Sequence, residues 1–322
     1  MRIGPINPLV TIIVITYNST RFVLETLESA KNQSYQNIEL IVTDDNSSDD
    51  TIYICTKWIE ENKLRFVRTE IIKAETNTGI PANINRGLKR ASGTWIKCIA
   101  GDDLLARDCL SELINYIFTQ QEDIRILFSD IVKFSGDSVE NGQLKKNPNK
   151  WFCSRDSSAR DQYEMLLRYN RVFASSVIIR GDLLKSLNGF DERYKLLEDW
   201  PMWLRITNMG YKIFHLDKAL IFYRIHDQNL SQTTNQNYLC HPVNRIDIKF
   251  NEIEVLPRLP FIERLGLKHR IIGIKFCFLL GNDGKNPFKR LIYNVYKKSN
   301  PFNLYLHLLK MLGITYRNHR YL

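Results

Sequence analysis

Apolar and polar residues alternate in blocks along the first two thirds of the chain. Residues 9–16 (LVTIIVIT) and 38–45 (IELIVTDD) are β-branched and nearly all apolar. That is the pattern of strands buried on both faces, as in a parallel sheet. LRFVRTE at 64–70, WIKCIA at 95–100 and ILFSDIVKF at 126–134 read as further strands. Residues 20–32, 49–62 and 105–120 carry helical spacing, and NTGIPANINRGLKRASG holds a turn and a short helix. Beyond them the pattern predicts a helix near 161–169, a strand at 172–180 and a helix from 181. An amphipathic helix over 196–210 and one or two strands over 211–226 follow. Residues 135–160 are polar and rich in Gly, Asn and Ser, which predicts a mobile loop. Alternating strand and helix predicts an α/β fold with an open, mostly parallel sheet flanked by helices.

Ligands of such sheets bind beyond the carboxyl ends of the strands. Three predicted strands end on polar clusters: Thr16-Tyr17-Asn18, Asp44-Asp45-Asn46 and Asp102-Asp103. These clusters are expected to meet at one edge. Neighbouring carboxylates repel each other and are costly to bury unless something positive stands beside them. Asp102-Asp103 therefore reads either as a helix cap or as a cation site. A hard divalent cation, Mn²⁺ or Mg²⁺, would supply the missing charge and bridge phosphate oxygens. No GxGxxG follows the first strand and no GxxxxGK[ST] occurs. A dinucleotide-binding Rossmann site and a P-loop are thereby disfavoured.

The 322 residues give room for one large or two ordinary domains. Six scattered cysteines without a CxxC pair argue against zinc ribbons and disulfide frameworks, and suit a reducing compartment. The stretch MRIGPINPLV has no long apolar core, so no signal peptide is expected. Nor is there a run of ~18 apolar residues that would predict a membrane span. Charge adds a division. The net +10 falls entirely in residues 241–322, which hold 15 Lys and Arg against 5 Asp and Glu. The reading is an α/β domain over 1–235 and a helical, basic C-terminal region over 236–322. Such asymmetry points to an acidic partner.

Four segments carry a resemblance: VTIIVITYN (10–18), IELIVTDDNSSDDT (38–51), NTGIPANINRGLKRASGTWIKCIAGDD (77–103) and LLEDWPMWLR (196–205). Together they resemble family 2 glycosyltransferases of the GT-A fold, in the family's order over residues 8–230. GIPANINRG followed by a GDD strand end is similar to members that build bacterial surface polysaccharides of the O-antigen or capsule kind. The resemblance implies a nucleotide-binding half over 8–105 and an acceptor half over 106–235. It implies inverting transfer of a hexose or N-acetylhexosamine from a nucleotide-sugar, a UDP-sugar, to a hydroxyl of a lipid-linked saccharide acceptor. Thr16, Tyr17 and Asn18 would line the base and ribose. Asp45, with Asp44, would accept from a pyrimidine N3–H. Asn77 and Asn85 would sit near the nucleotide or brace the loop, and Asp102 would contact ribose or metal. Asp103 would ligate Mn²⁺ or Mg²⁺, with His226 completing the site.

By the same resemblance Asp199 would be the catalytic base, with Glu198 beside it; the alternative is that the pair caps its helix. Trp200 and Trp203 would stack on a sugar or fill the core. Two positions depart from the family pattern. Ala100 stands where a first carboxylate is usual. Ile84 stands where many members carry Arg, so one positive contact is absent or supplied from elsewhere. The basic tail is expected to lie on an anionic membrane surface, or to form a homodimer contact. No nucleic-acid motif occurs, so no nucleic-acid partner is expected. The implied location is cytoplasmic, peripheral at the inner face of the plasma membrane. A nucleotidyltransferase on a similar sheet and a non-catalytic sugar- or membrane-binding relative are the alternatives.

Overall fold

The computed structural model describes residues 7–136, 139–146, 150–227, 229 and 238–312. The strands are β1 (Val10–Thr16), β2 (Ile38–Asp44), β3 (Arg68–Lys73), β4 (Trp95–Ala100) and β5 (Leu104–Leu105). They continue with β6 (Ile126–Ser135), β7 (Gln143–Lys145), β8 (Val177–Arg180) and β9 (Phe214–Ile225). Helices α1 (Val23–Lys31), α2 (Thr51–Asn62), α3 (Ile80–Arg90) and α4 (Cys109–Thr119) alternate with the first strands. Helices α5 (Ala159–Leu166), α6 (Gly181–Ser186) and α7 (Asp199–Asn208) complete the catalytic unit.

One sheet carries every strand, in the order β3-β2-β1-β4-β8-β6-β9-β5, with β7 on β6. Strands β1 to β4 pair with one another in parallel, as the strand–helix alternation implies. The rest is mixed. β8 runs antiparallel to both β4 and β6, and β5 runs antiparallel to β9, while β6 and β9 are parallel. The sheet is therefore mixed, with the long pairings parallel and the short ones antiparallel, in keeping with the expected α/β fold. β1 and β2 are buried along nearly their whole length, with Ile12, Val14, Leu40 and Val42 in the core. Each such side chain contributes about 1.5–3 kcal/mol when fully buried.

Several elements differ from the pattern reading: β8 begins only at Val177, after a 3₁₀ turn over Ala174–Ser176, and Leu104–Leu105 form a strand before α4. The third strand begins at Arg68, because Lys63–Arg65 form a 3₁₀ turn that leaves Leu64 in solvent. The polar stretch after β6 is not all loop: Gln143–Lys145 pair with Ile131–Lys133. The amphipathic helix starts at Asp199, with Glu198 in the N-cap position. Its shorter length follows from Tyr194–Leu197, where the Leu197 N–H donates to the Tyr194 carbonyl in a turn.

The chain divides into two units, Met1–Leu166 with Asn170–Ile225, and Leu167–Tyr169 with His226–Leu322. The second contains α8 (Ile248–Phe250), α9 (Phe261–Leu279), α10 (Pro287–Lys298) and α11 (Pro301–Met311). Pro287 and Pro301 stand at the first helical positions, where a missing N–H costs nothing. A small core of Cys240, Ile274 and Cys277, with Tyr293 packed on it, holds α9 and α10 together. Gly266 and Gly273 let the neighbouring helices approach α9: a Cβ at either would strike Phe302 or Tyr296. The buried Arg168 and Glu263 pair at 2.7 Å. Among the described residues no helix is long and apolar enough to cross a membrane.

Candidate active site

The polar strand ends fall where the sheet predicts. β1 and β2 pair in parallel with Thr16 opposite Asp44, and β4 ends beside β1. Thr16 donates its hydroxyl to Asp44 Oδ2 at 2.9 Å. Asp44 also accepts the Ser47 N–H at 2.8 Å and the Ser47 hydroxyl at 2.5 Å. Tyr17 is 53% exposed at the tip, so it is not core. Asn18 adopts a left-handed φ of 50° and receives the Ser48 N–H on its side-chain oxygen at 2.9 Å. The β1 and β2 ends are thus tied into one rim.

Asp45 is the hub of that rim. Its carboxylate accepts the Thr78 hydroxyl at 2.8 Å and the Gly79 N–H at 2.7 Å. Thr78 N–H adds contacts of 3.1 and 3.0 Å, and Arg86 Nη2 donates at 2.6 Å. Burial alone would raise its pKa; the Thr78, Arg86 and Gly79 donors outweigh burial and hold the carboxyl below its ordinary range. The positive contact missing at Ile84 is thereby supplied by Arg86, one residue beyond Asn85 on α3. Sequence reading missed Arg86, although the lone arginine beside Ile84 was the available signal. Asn77 is exposed on the same loop. Gly87 lies under β1 and β2, where a Cβ would strike Ile13 and Thr43.

Asn85 does not face the rim's open side. Its Nδ2 donates to the Phe190 carbonyl and to Glu192 Oε1, both at 2.8 Å, and its oxygen accepts the Phe190 N–H at 2.8 Å. It braces the segment that leads to α7. Gly79 joins the same segment: at φ +97° its place would clash with the Lys195 carbonyl if it bore a Cβ.

Asp103 lies 2% exposed after β4. Its Oδ1 accepts the Arg224 N–H at 3.0 Å. Burial pushes its pKa well up and the neighbouring Asp102 charge adds to this, against smaller lowering from the Arg224 N–H, Ser175 and Lys97. Arg224, on β9, is almost wholly buried and organises the turn. Its Nε donates to the Asp102 carbonyl at 3.0 Å, Nη1 to the Gly136 carbonyl at 2.8 Å and Nη2 to Glu25 at 2.6 Å. The guanidinium sits 4.6 Å from the ring centroids of both Phe22 and Phe134. Behind the turn, Lys97 is fully buried in β4 and donates to the Ser175 and Val177 carbonyls. Neither cation was singled out from sequence, since WIKCIA and LIFYRIH read as strands.

Glu198 and Asp199 open α7 as expected. Asp199 Oδ1 accepts the Trp200 N–H at 2.7 Å and Oδ2 accepts Asn170 Nδ2 at 2.6 Å. Burial raises the pKa of both, and the Asp199 charge helps push Glu198 up to about 8. The Glu198 charge also reaches the Cys98 thiol, which burial pushes up to about 12. The acidic pair thus lies within electrostatic reach of the strand that delivers Asp102 and Asp103. Trp200 and Trp203 are both core, their indoles donating to the Leu166 and Val172 carbonyls.

Among the described residues no group of three or more His, Cys, Asp or Glu side chains could hold a metal ion by itself. The catalytic unit offers two carboxylates, Asp102 and Asp103. Oxygen donors with a shortfall of positive charge suit a hard divalent cation. His226 opens the second unit, where its N–H donates to Asn229 at 2.5 Å.

This mixed sheet with strand-end carboxylates and a separate acidic helix start is that of a GT-A glycosyltransferase. The family profile described as "Glycosyl transferase family 2" matches residues 11–183, more than half of the chain, and the chain belongs to that family. Over 276 residues it is 29% identical to an Escherichia coli UDP-Glc:alpha-D-GlcNAc-diphosphoundecaprenol beta-1,3-glucosyltransferase, covering 85% of this chain and 94% of that one. The S. aureus TarS 1–349 structure in complex with UDP-GlcNAc is similar at TM-score 0.54 and 22% identity, covering 84% of this chain and 73% of that one. A Pyrobaculum calidifontis mannosyltransferase in complex with GDP-Man and Mn²⁺ is similar at TM-score 0.51 and 16% identity, with 97% and 78% covered. These likenesses match the expected fold, and family membership sets aside the nucleotidyltransferase alternative.

Proposed function

We propose that the protein transfers a hexose or N-acetylhexosamine, with inversion, from a UDP-sugar to a hydroxyl of a lipid-linked saccharide, in surface-polysaccharide assembly at the inner face of the plasma membrane. The observation that carries the reading is the Glu198–Asp199 start of α7, with Asp199 held by Asn170 and the Trp200 N–H, in the same unit as the strand end at Asp102-Asp103. The similar E. coli enzyme, named for a UDP-glucose donor and a diphosphoundecaprenol acceptor, supports the donor and acceptor classes.

Tyr17, exposed above the β1 end, offers a face for the base, and Thr16 and Asn18 shape the ribose side. Asp45 fixes the Thr78–Gly79 loop, and with Asp44 it is the candidate acceptor for a pyrimidine N3–H. Asp102 and Asp103 would hold Mn²⁺ or Mg²⁺, which when bound neutralises charge on the departing nucleoside diphosphate. Asp199 takes the proton from the acceptor hydroxyl as the new glycosidic C–O bond forms and the bond to the diphosphate breaks. Burial raises the pKa of Asp199 towards that of a base, against the lowering by the Asn170 and Trp200 donors. The test is a panel of UDP-, GDP-, dTDP- and CMP-sugars with and without Mn²⁺, followed by turnover on a lipid diphosphate saccharide. A thermal shift that needs both a UDP-sugar and metal supports the reading. Wild-type transfer by Asp199→Asn would overturn the base assignment.

A further inference from the structure

The C-terminal unit ends in two helices built on one plan. Asn286-Pro287-Phe288 opens α10 and Asn300-Pro301-Phe302 opens α11. Each Asn side chain accepts two N–H groups of the first turn, from Phe288 and Lys289 in one and from Phe302 and Asn303 in the other. Such caps fix where a short amphipathic helix starts, and hence which residues share a face.

The inner faces are spent on α9. The Tyr296 hydroxyl donates to the His269 carbonyl at 2.8 Å, and its ring stacks on that imidazole at 4.0 Å. Asn300 donates to the Gly266 carbonyl at 2.9 Å. The outer faces are left to solvent. Phe288, Leu291 and Val295 form an exposed stripe at helical spacing on α10, and Leu304, Leu308 and Met311 form another on α11. Phe288 is 69% and Met311 66% exposed. Contiguous apolar exposure of this kind marks an interaction surface.

Charge decides what the surface fits. After Asp283 the chain has no acidic side chain, yet it carries eight Lys and Arg. Lys298 is exposed on α10 beside the apolar stripe, and Arg290 and Lys297 are exposed on the flank beyond it. Between α10 and α11 lies a cleft of about 570 Å³ lined by Asn294, Lys297, Lys298, Asn303, Leu304 and His307. Two ammonium groups, two amides and an imidazole form a donor set for a phosphate. A second copy of the chain would bring the same positive charge to this face, which disfavours self-association. Apolar side chains at the height of basic ones suit the boundary between lipid headgroups and acyl chains.

We propose that the outer face of α10 and α11 docks on an anionic lipid bilayer, with the Lys297–Lys298 cleft receiving a lipid phosphate. The inference rests on the lipid-linked acceptor reading but is tested separately from it. The full chain is floated with vesicles of phosphatidylcholine alone and of phosphatidylcholine doped with phosphatidylglycerol. Binding to the anionic vesicles only is expected, weakening as salt rises. Lys297→Ala with Lys298→Ala should weaken partitioning about thirtyfold, from about 1 kcal/mol per basic residue at the surface. Leu291→Ser with Val295→Ser should abolish flotation. Unchanged circular dichroism and unchanged turnover on a water-soluble acceptor show that these variants are folded and active. Equal binding to neutral and anionic vesicles, or wild-type flotation by the lysine double variant, overturns the proposal. So does a dimer in sedimentation that Leu291→Ser dissociates. Failure of transfer with every donor, alongside intact anionic flotation, sinks the catalytic reading and leaves the docking surface standing.

Discussion

Two pairs of neighbouring aspartates flank β1, and the protein treats them in opposite ways. Asp44 and Asp45, at the end of β2, are met by hydroxyls, backbone N–H groups and the Arg86 guanidinium. Asp45 is accordingly held below its ordinary pKa. Asp103, after β4, is buried deeper than its donors can offset and is pushed upward, with the Asp102 charge adding to the push. The first pair builds the rim. The second leaves a shortfall of positive charge, which is where an external cation and a diphosphate would enter. Equal spelling in sequence, a strand followed by two aspartates, therefore hides two different jobs.

The sharpest way to test that division is to remove the one group assigned to chemistry. Asp199→Asn should cut kcat by ~10²–10⁴-fold while leaving the UDP-sugar dissociation constant near wild type. Single-turnover kinetics and calorimetry separate the two. Arg224→Met attacks the frame of the Asp102-Asp103 turn. It leaves the Glu25 carboxylate and two carbonyls without their donor, so a loss of about 3 kcal/mol or more in urea unfolding is expected. Mn²⁺-dependent donor binding should fall with it.

Arg86→Leu tests the saturated pair. Asp45 then loses its cation, at a cost of about 1–3 kcal/mol. The sign with pH follows from linkage. A depressed carboxyl contributes stability above the ordinary aspartate range and loses it as pH falls through its lowered value. Acid unfolding of Arg86→Leu should show less of that loss than wild type. A folded variant with unaltered acid stability would show that Asp45 does not depend on Arg86.

The smallest effect concerns the pH profile. Glu198 titrates near 8 in the folded pair, above its ordinary 4.5. The base form therefore appears as pH rises, so kcat should climb towards pH 8, with the limb belonging to the pair. Stability runs the other way, falling between 4.5 and about 8 as the buried pair is forced to ionise. Glu198→Gln removes the like charge, and the limb should move to lower pH. A limb that stays in place would assign it to another group.

Much of this was legible from local pattern. Thr16, Asp44 and Asp103 could be placed at one edge because strand endings follow from apolar runs that stop. Glu198 and Asp199 could be placed because a helix start has a recognisable composition. Arg224 could not. Its partners lie 88, 122 and 199 residues away in sequence, and within FYRIH it reads as one more strand position. Lys97 was hidden likewise, since its carbonyl partners come from the turn before β8 and from the first residue of β8. Asn85 is hidden in the same way, since its partners Phe190 and Glu192 lie more than a hundred residues along the chain.

Arg86 has a consequence for how the rim could be rebuilt. It meets Asp45 from one residue beyond Asn85, and the ion pair closes at 2.6 Å. Neighbouring positions on a helix face different ways, yet a long guanidinium arm still reaches the carboxylate. What Asp45 requires is therefore a cation within reach, and not one particular position on α3.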